Sequence, residues 1–273
     1  MKYISPGGWF SLEYHDTWSE FEDMEESFLF YNPNKWNGNF RISAYKDKAS
    51  DYASQCIDDE LKNNPNSTIV KIGEWKCAYC AEDFQEENNR YTTHFWVTGK
   101  GNICIECSFT VFKGDSPAYA EEIIRSLKLR KGTEEKEIIP IRVLEIGEVN
   151  AAFEWASTTV KKTLTKDFTS QEADIEKLQK LIDGGKLKTD QRNVWENIGL
   201  AFGTILENEM DGMNWVTIVD KQKEYPALQF ADSSLVIEPA TLVWNKIRQK
   251  QPCDLKAEFQ LIKVKVETWL NKE

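Results

Sequence analysis

The spacing of hydrophobic residues changes part-way along this chain of 273 residues. Over about the first 130 residues, apolar and polar side chains alternate, as they do at residues 9–14, and this period of two is typical of half-buried β-strands. From about residue 149 onward, apolar residues recur every three or four positions, which is typical of amphipathic helices. A chain of this length has room for two domains. The change of period therefore predicts two domains of different architecture.

Residues 1–130 are predicted to form an antiparallel sheet with helices packed against it. The segments rich in β-branched and aromatic residues, which favour strands, are residues 9–14, 27–31, 40–45, 67–72, 74–84, 90–98 and 102–112. Helical spacing is found at residues 50–62, between the third and fourth of these strands, and at residues 116–127, after the last one. A run of strands with one inserted helix and one closing helix is typical of an α+β fold.

The rest of the chain is predicted to be a linker followed by a smaller, helix-rich α+β domain. The linker is residues 131–147, which are charged and then extended before Pro140, and the second domain is residues 148–273. Helices are predicted to begin near residues 149, 169, 190 and 239, the second of them at the capping-box pattern of Thr169 and Glu172. Short strands are predicted at residues 215–219, 226–230 and 235–237.

The charge balance excludes some classes of protein. The chain has 34 basic and 45 acidic residues, a net charge of −11, and residues 1–130 alone carry −7. Because a nucleic-acid-binding domain needs a basic face, nucleic acid is not an expected partner. No stretch is apolar enough for a membrane span, and the first residues lack the apolar core of a signal peptide. We therefore expect a cytoplasmic protein.

Several segments of residues 1–130 carry a family resemblance. They are an early aromatic strand at residues 9–14, the Asp16-Thr17-Trp18 turn, a second aromatic strand at Phe28–Tyr31, a hairpin joining residues 95–97 to 108–109, and the ending at residues 123–128. Together they resemble the PsbP-like/Mog-type α/β/α sandwich family. The resemblance implies a sandwich fold and a small binding, assembly or chaperone module without an active site.

The second half is similar to a bacterial domain of unknown function. The segments that carry this similarity are residues 199–203, 214–220, 225–228 and 237–239. This resemblance implies a fold and no reaction.

Four of the six cysteines form two Cys-x-x-Cys pairs, Cys77 with Cys80 and Cys104 with Cys107. Such spacing is found in zinc ribbons, and a zinc-stabilised or redox module is one alternative interpretation. A zinc site, however, needs a tight turn that aims both sulfurs at one metal ion. Here both pairs lie in predicted strands, where residues three apart point to opposite faces. We therefore predict neither a metal site nor a cofactor.

Catalytic residues are not apparent in the sequence. The two histidines, His15 and His94, are far apart in the chain, and the Gly-x-Ser-x-Gly pattern of a nucleophile elbow is absent. The favoured interpretation is a non-enzymatic, bacterial, cytoplasmic protein-binding module of chaperone, adaptor or immunity type. The alternative is a hydrolase-like enzyme with its site at a cleft between the two domains.

An acidic run and two tryptophans predict where a partner binds. Residues 20–26 contain five carboxylates, which form either a solvated loop or a surface that steers a basic partner. Trp18 and Trp36 lie in polar turns, where exposed aromatic rings are frequent interface hot spots. We predict a site for a basic protein partner. The predicted binding residues are Trp18, Glu20, Phe21, Glu22, Asp23, Met24, Glu25, Glu26 and Trp36.

Overall fold

The computed structural model of the chain describes residues 1–22, 27–221 and 223–270, apart from the side chain of Glu22. The described residues divide into two compact units. Unit 1 contains residues 1–135 together with residues 220 and 221, and unit 2 contains the other described residues from 136 to 270.

Unit 1 contains two antiparallel sheets and two α-helices among its described residues. Its elements are β1 (Lys2–Ile4), β2 (Phe10–Glu13), β3 (Ser19–Glu22), β4 (Phe28–Tyr31), β5 (Asn39–Lys46), α1 (Tyr52–Asn63), β6 (Thr68–Ile72), β7 (Trp75–Glu86), β8 (Asn89–Lys100), β9 (Ile103–Phe112), α2 (Ala118–Ser126) and β10 (Lys128–Leu129). The large sheet has the strand order β3-β4-β5-β9-β8-β7-β6, and the small sheet has the order β1-β2-β10. Neighbouring strands are antiparallel throughout both sheets.

The large sheet has two distinct faces because side chains alternate along each strand. Its inner face carries Phe30, Phe40 and Phe109, which are buried in one core with Leu12 of the small sheet and Ile124 of α2. Its outer face is covered in part by α1, which packs over β7, β8 and β9. The predicted antiparallel sheet with packed helices is confirmed. The segment at residues 9–14 nevertheless lies in the separate small sheet, and the short strands β1, β3 and β10 were not predicted.

Unit 2 is helix-rich, as predicted, and contains one four-stranded sheet. Its elements are β11 (Glu137–Pro140), α3 (Val143–Leu164), α4 (Ile175–Asp183), α5 (Arg192–Glu209), β12 (Met213–Asp220), β13 (Lys223–Phe230), β14 (Val236–Ile237), α6 (Pro239–Arg248) and α7 (Leu255–Leu270). The strand order is β11-β12-β13-β14. Helix α5 is central, since buried residues follow almost without a break from Ile198 to Leu206. None of the described helices is long and apolar enough to cross a membrane.

Two boundaries differ from the sequence prediction. The segment predicted as a linker, residues 131–147, contains β11 and the start of α3. β11 is part of the four-stranded sheet because it pairs with β12. The predicted capping box of Thr169 and Glu172 is not formed. Instead, the carboxylate of Asp174 accepts hydrogen bonds from the backbone N–H groups of Thr169 and Gln171, at 2.5 and 3.4 Å. The helical turn therefore begins at Glu172.

Candidate functional site

Four aromatic rings meet on the outer face of the large sheet, beyond the part that α1 covers. Tyr91 of β8 lies opposite Phe84 of β7 and Phe112 of β9, and its ring stacks on both with 5.3 Å between ring centroids. Trp36 adds a fourth ring, which stands edge-on to Phe112 with centroids 4.8 Å apart. We call Trp36, Phe84, Tyr91 and Phe112 the aromatic surface.

The aromatic surface is open to solvent. Phe84 and Phe112 are each 42% exposed, although rings of this size bury well in a protein core. The outer face continues towards α1 with Phe95, which is 38% exposed, and with a hydroxyl pair in which Thr93 and Thr110 are hydrogen-bonded at 2.9 Å. A contiguous exposed apolar patch with a polar margin is typical of a binding site.

Three carboxylates of the sheet lie on the outer face with the aromatic surface. The alternation of β7 and β9 places Glu82, Glu86 and Glu106 on the same face as the rings. The basic residues of the described strands on this face include Arg41, which lies opposite Ser108, and the pair Lys71 and Lys76 at the other end of β6 and β7. Glu82 and Glu86 thus flank Phe84 along β7, while Arg90 and Lys113 line a pocket of about 260 Å³ together with Phe84.

Helix α1 adds a carboxylate close to Glu106. Burial raises the pKa of Glu106, and the negative charge of Glu60 raises it further. Glu60 Oε1 accepts hydrogen bonds from Ser67 Oγ at 2.7 Å and from Asn64 Nδ2 at 3.1 Å. A cation that bound near Glu106 would favour its ionised form and offset this repulsion.

Of the two tryptophans predicted to bind a partner, Trp36 is partly exposed and Trp18 is buried. The ring of Trp36 is partly exposed in the aromatic surface, and its Nε1–H donates to Asn39 Oδ1 at 2.7 Å. Trp18 is only 2% exposed, because its ring stacks on Phe109 in the core and contacts Tyr119 of α2. The expectation that the Trp18 ring is exposed is therefore wrong.

Trp18 does line a cavity of about 260 Å³ in unit 1. His15, Tyr119 and Glu122 line the same cavity. The Trp18 Nε1–H is buried and has no hydrogen-bond partner among the described residues.

The acidic segment divides between the two faces of the sheet. Glu20 lies opposite Phe30 and faces inward. The pKa of Tyr14 is raised to about 12, mainly by the burial of Tyr14 and in addition by the negative charge of Glu20. Phe21 faces outward and stacks on Tyr31, with 4.1 Å between ring centroids. Glu22 is the last residue of β3. The predicted residues Asp23, Met24, Glu25 and Glu26 lie outside the described residues.

The two sulfurs of each Cys-x-x-Cys pair lie on opposite faces of the sheet, as the strand pattern predicts. Cys77 and Cys107 are buried in the inner core. Cys80 faces α1, where its sulfur accepts a hydrogen bond from Asn64 Nδ2 at 3.3 Å, and burial raises the pKa of both Cys77 and Cys80. In the part of the chain that the structure describes, no three His, Cys, Asp or Glu residues are grouped to hold a metal ion.

The chain matches two family models and is similar to several solved structures. A domain of unknown function (DUF3805) matches residues 1–150, and a second domain of unknown function (DUF3806) matches residues 174–259. The chain belongs to the DUF3805 family. A crystal structure of a Bacteroides thetaiotaomicron VPI-5482 protein is similar to this DUF3805 chain at 48% sequence identity and a TM-score of 0.92, covering 95% of this chain and 96% of that one.

The DUF3806 match confirms the predicted similarity of the second half to a domain of unknown function. No curated protein matches the chain. Two other solved structures are similar at 11% identity: PsbP (CyanoP) from Synechocystis sp. PCC 6803, with a TM-score of 0.27 over 48% of this chain and 92% of its own, and LpqN of Mycobacterium tuberculosis, with a TM-score of 0.30 over 44% and 82%. Scores at this level carry no argument.

Three residues of the aromatic surface in the DUF3805 region were not found from the sequence. Phe84, Tyr91 and Phe112 each fit a strand pattern, and each could equally have faced the core. The sequence does contain one indication that they face outward. Each ring lies two positions from a polar residue of its own strand, and these polar residues are Glu82, Thr93 and Thr110. These are the exposed or half-exposed positions of their strands.

Proposed function

We propose that the chain is a non-enzymatic protein-binding module, and that its aromatic surface binds a Lys- or Arg-containing segment of a partner protein. The observation that carries the proposal is the contact of four rings on an open sheet face, two of them 42% exposed. Exposed aromatic residues are the most frequent hot spots of protein interfaces. Because the rings already touch one another, little conformational freedom is lost when a partner binds.

Charge complementarity favours a basic partner. Glu82, Glu86 and Glu106 share the outer face with the rings, and the whole chain carries a net charge of −11. An Arg or Lys side chain can lay its apolar stem on an aromatic ring while its cationic end pairs with a carboxylate. The same negative charge disfavours nucleic acid, whose phosphates would be repelled.

Residues 20–26 belong to the proposal as a steering segment. The Phe21 ring stacks on Tyr31 on the outer face of the sheet, which is the face of the aromatic surface. The five carboxylates in the sequence of residues 20–26 would speed the approach of a basic partner at low ionic strength. Reversing three of them, by Glu22→Lys, Asp23→Lys and Glu25→Lys, should slow association at low salt and have little effect at high salt.

The proposal includes a PsbP-like assignment for residues 1–130 and a cytoplasmic location. The layered order of unit 1 supports the first, since α1 lies on one face of the large sheet and α2 on the other. The six cysteines support the second, because all are free thiols and reducing compartments keep thiols in that state. A binding role of chaperone, adaptor or immunity type is consistent with both.

A peptide of alternating Arg and Ser residues tests the proposal directly. Its affinity for the full chain is measured by fluorescence anisotropy, with a peptide of alternating Glu and Ser as the charge control. The double variant Phe84→Ser, Phe112→Ser should weaken binding of the basic peptide about tenfold or more. Leu261→Ser is the matched control, since it removes another exposed apolar side chain, on α7. Equal binding of the two peptides, or unchanged binding by the double variant, would contradict the proposal.

A further inference from the structure

Unit 2 contains a cavity of about 640 Å³. Its apolar wall includes Val149 and Phe153 of α3, and its polar side includes Glu207 and Asn208 of α5. Trp215 of β12 also lines it. Small-molecule sites in proteins have volumes of about 300–1,000 Å³ and combine apolar walls with a few polar groups.

The position of Trp215 depends on a glycine in α5. A Cβ atom at Gly203 would lie 2.5 Å from Trp215 Cη2, so only glycine lets the indole lie against the helix at this point. The Trp215 Nε1–H then donates to Glu207 Oε2 at 2.9 Å, one helical turn after Gly203. The indole and the carboxylate are thus held together at the cavity.

Two buried hydroxyl groups that line the cavity already have partners. Ser170 Oγ and Thr204 Oγ1 are buried and lie 2.6 Å apart, and Thr204 also donates to the carbonyl of Ala201 at 2.8 Å. The side-chain amide of Asn208 donates to the carbonyl of Ser170 at 3.0 Å. The side-chain amide of Asn214 donates to the carbonyl of Gly212 at 3.0 Å. Both hydroxyl groups therefore have partners, and each of the two amides uses one of its two N–H groups.

The one charged group that lines the cavity among the described residues is the carboxylate of Glu207, and amide oxygens lie in the same lining. Among the described residues, nothing donates a hydrogen bond to Glu207 Oε1, Asn208 Oδ1 or Asn214 Oδ1. The described lining includes one carboxylate and no Lys, Arg or His. A ligand with hydrogen-bond donors and a positive charge is therefore favoured beside the carboxylate.

We propose that this cavity binds a small organic cation, a protonated amine or guanidinium attached to an apolar body. The cationic group donates to Glu207 and to the amide oxygens of Asn208 and Asn214, and the apolar body lies against Trp215 and Phe153. Both rings add a cation–π attraction when the charge lies over their faces. This inference concerns a different unit and a different ligand from the proposed function.

The surroundings of Glu207 favour a cationic ligand over an anionic one. Burial raises the pKa of Glu207, and the hydrogen bond from Trp215 lowers it in part. An opposite charge within hydrogen-bond distance would favour the ionised carboxylate. An anionic ligand such as a phosphate ester would meet the carboxylate and no basic side chain, so it is disfavoured.

Phenethylamine is a suitable probe because it joins a primary ammonium group to an aromatic ring. Its binding to the full chain is measured by isothermal titration calorimetry beside two near-isosteres, neutral 2-phenylethanol and anionic 3-phenylpropionate. We expect the amine to bind at least tenfold more tightly than the alcohol, and the acid to bind more weakly still. Equal binding of amine and alcohol, or the absence of amine binding, would overturn the proposal.

Two variants locate the site. Glu207→Gln keeps an acceptor for the Trp215 indole and removes the negative charge, and it should weaken amine binding about tenfold. Asn150→Lys places a tethered cation at an exposed lining position on α3 and should abolish binding. Glu176→Gln, an exposed carboxylate of α4 outside the lining, is the matched control.

Each result of the variant series is decisive. Unchanged amine affinity in either Glu207→Gln or Asn150→Lys, with the fold intact by circular dichroism, would overturn the proposal. Because the variants lie in unit 2, binding of the basic peptide to the aromatic surface should be unaffected. Failure of the amine to bind would therefore leave the proposed function standing, and failure of the peptide would leave this inference standing.

Discussion

The indole of Trp36 stands edge-on to the ring of Phe112, with 4.8 Å between their centroids and 78° between their planes. Trp36 lies in the turn before β5, and Phe112 is the last residue of β9, which pairs with β5. The contact links a turn to the sheet across 76 positions of sequence. It also holds the aromatic surface in one arrangement before any partner binds.

A double-mutant cycle should detect this contact in the free protein. Edge-to-face aromatic pairs contribute about 0.5–1.5 kcal/mol beyond the burial of each ring. We expect the effects of Trp36→Ala and Phe112→Ala on the free energy of unfolding to differ from additivity by that amount in urea titrations. Trp36→Ala combined with Leu261→Ala, a residue exposed on α7, should be additive. Additivity of the first pair would show that the rings do not interact in solution.

Two glycines in helices should respond in opposite directions to alanine. A Cβ atom at Gly199 of α5 would lie 2.4 Å from the Pro239 carbonyl oxygen and 2.6 Å from Ala240 Cα, both backbone atoms of α6. Gly199→Ala should therefore lower the free energy of unfolding by about 1–3 kcal/mol, because the two helices must separate.

Gly147 is the matched control for Gly199. It lies within α3, and its added Cβ would meet no atom within 4 Å. Gly147→Ala should raise the free energy of unfolding by about 0.5–1 kcal/mol through helix propensity alone. Urea titration of both variants measures the contrast. A stabilising Gly199→Ala would mean that α5 and α6 do not approach so closely.

Trp18 and Trp36 show where sequence reasoning reached its limit. Both lie in polar turns and look alike in the sequence. The Trp18 backbone N–H donates to the His15 carbonyl at 3.0 Å, and the turn directs the ring onto Phe109, under Tyr119 of α2. That cover comes from residues about a hundred positions further along the chain, so no local pattern could indicate it.

Local periodicity, in contrast, was enough for the cysteines and for most strands. Cys77 and Cys80 lie on opposite faces because the alternation of a strand depends only on the strand itself. The aromatic surface needed more, since Phe84, Tyr91 and Phe112 meet only in one strand register. Register depends on which strands pair, and the pairing of seven strands cannot be read from the local pattern of each strand.

A buried charge cluster in unit 2 should be costly to break. Arg142 is 1% exposed and donates from Nε and Nη2 to Glu145 at 2.8 and 2.5 Å, and from Nη2 to Glu224 at 2.9 Å. Arg142→Met leaves the buried Glu145 carboxylate without its cation, and we expect a loss of about 3–5 kcal/mol in the free energy of unfolding. Adding Glu145→Gln should recover part of that loss.

An exposed ion pair provides the comparison for Arg142. Arg192 and Glu196 are one turn apart on α5, with 2.7 Å between Nε and Oε1, and the Arg192 side chain is 65% exposed. Arg192→Met should cost at most about 1 kcal/mol. Chemical denaturation of both variants gives the ratio of the two effects. Similar losses would mean that the Arg142 cluster is solvated in solution.

His94 should make the stability of unit 1 depend on pH. The imidazole is buried, with the rings of Tyr79 and Trp96 stacked beside it, and Tyr79 Oη lies 2.9 Å from its Nδ1. Burial lowers the pKa of His94 below 6.5, although the charges of Glu121 and Asp83 partly offset the shift. The buried Nε2 has no hydrogen-bond partner among the described residues, so protonation in the folded state would leave a cation without an acceptor.

The sign of this pH dependence follows from proton binding. Between the lowered pKa of folded His94 and the value of about 6.5 in the unfolded chain, the unfolded state binds more protons. The contribution of His94 to stability is therefore fully present above about pH 6.5 and is lost as the pH falls through that window, by up to about 1.4 kcal/mol per pH unit. His94→Gln should remove this part of the pH dependence in urea titrations, whereas His15→Gln, at an exposed position, should keep it. Wild type and His94→Gln could instead lose stability in parallel between about pH 7 and 5. His94 would then bind its proton equally well in the folded and unfolded states, and its burial would not control its charge.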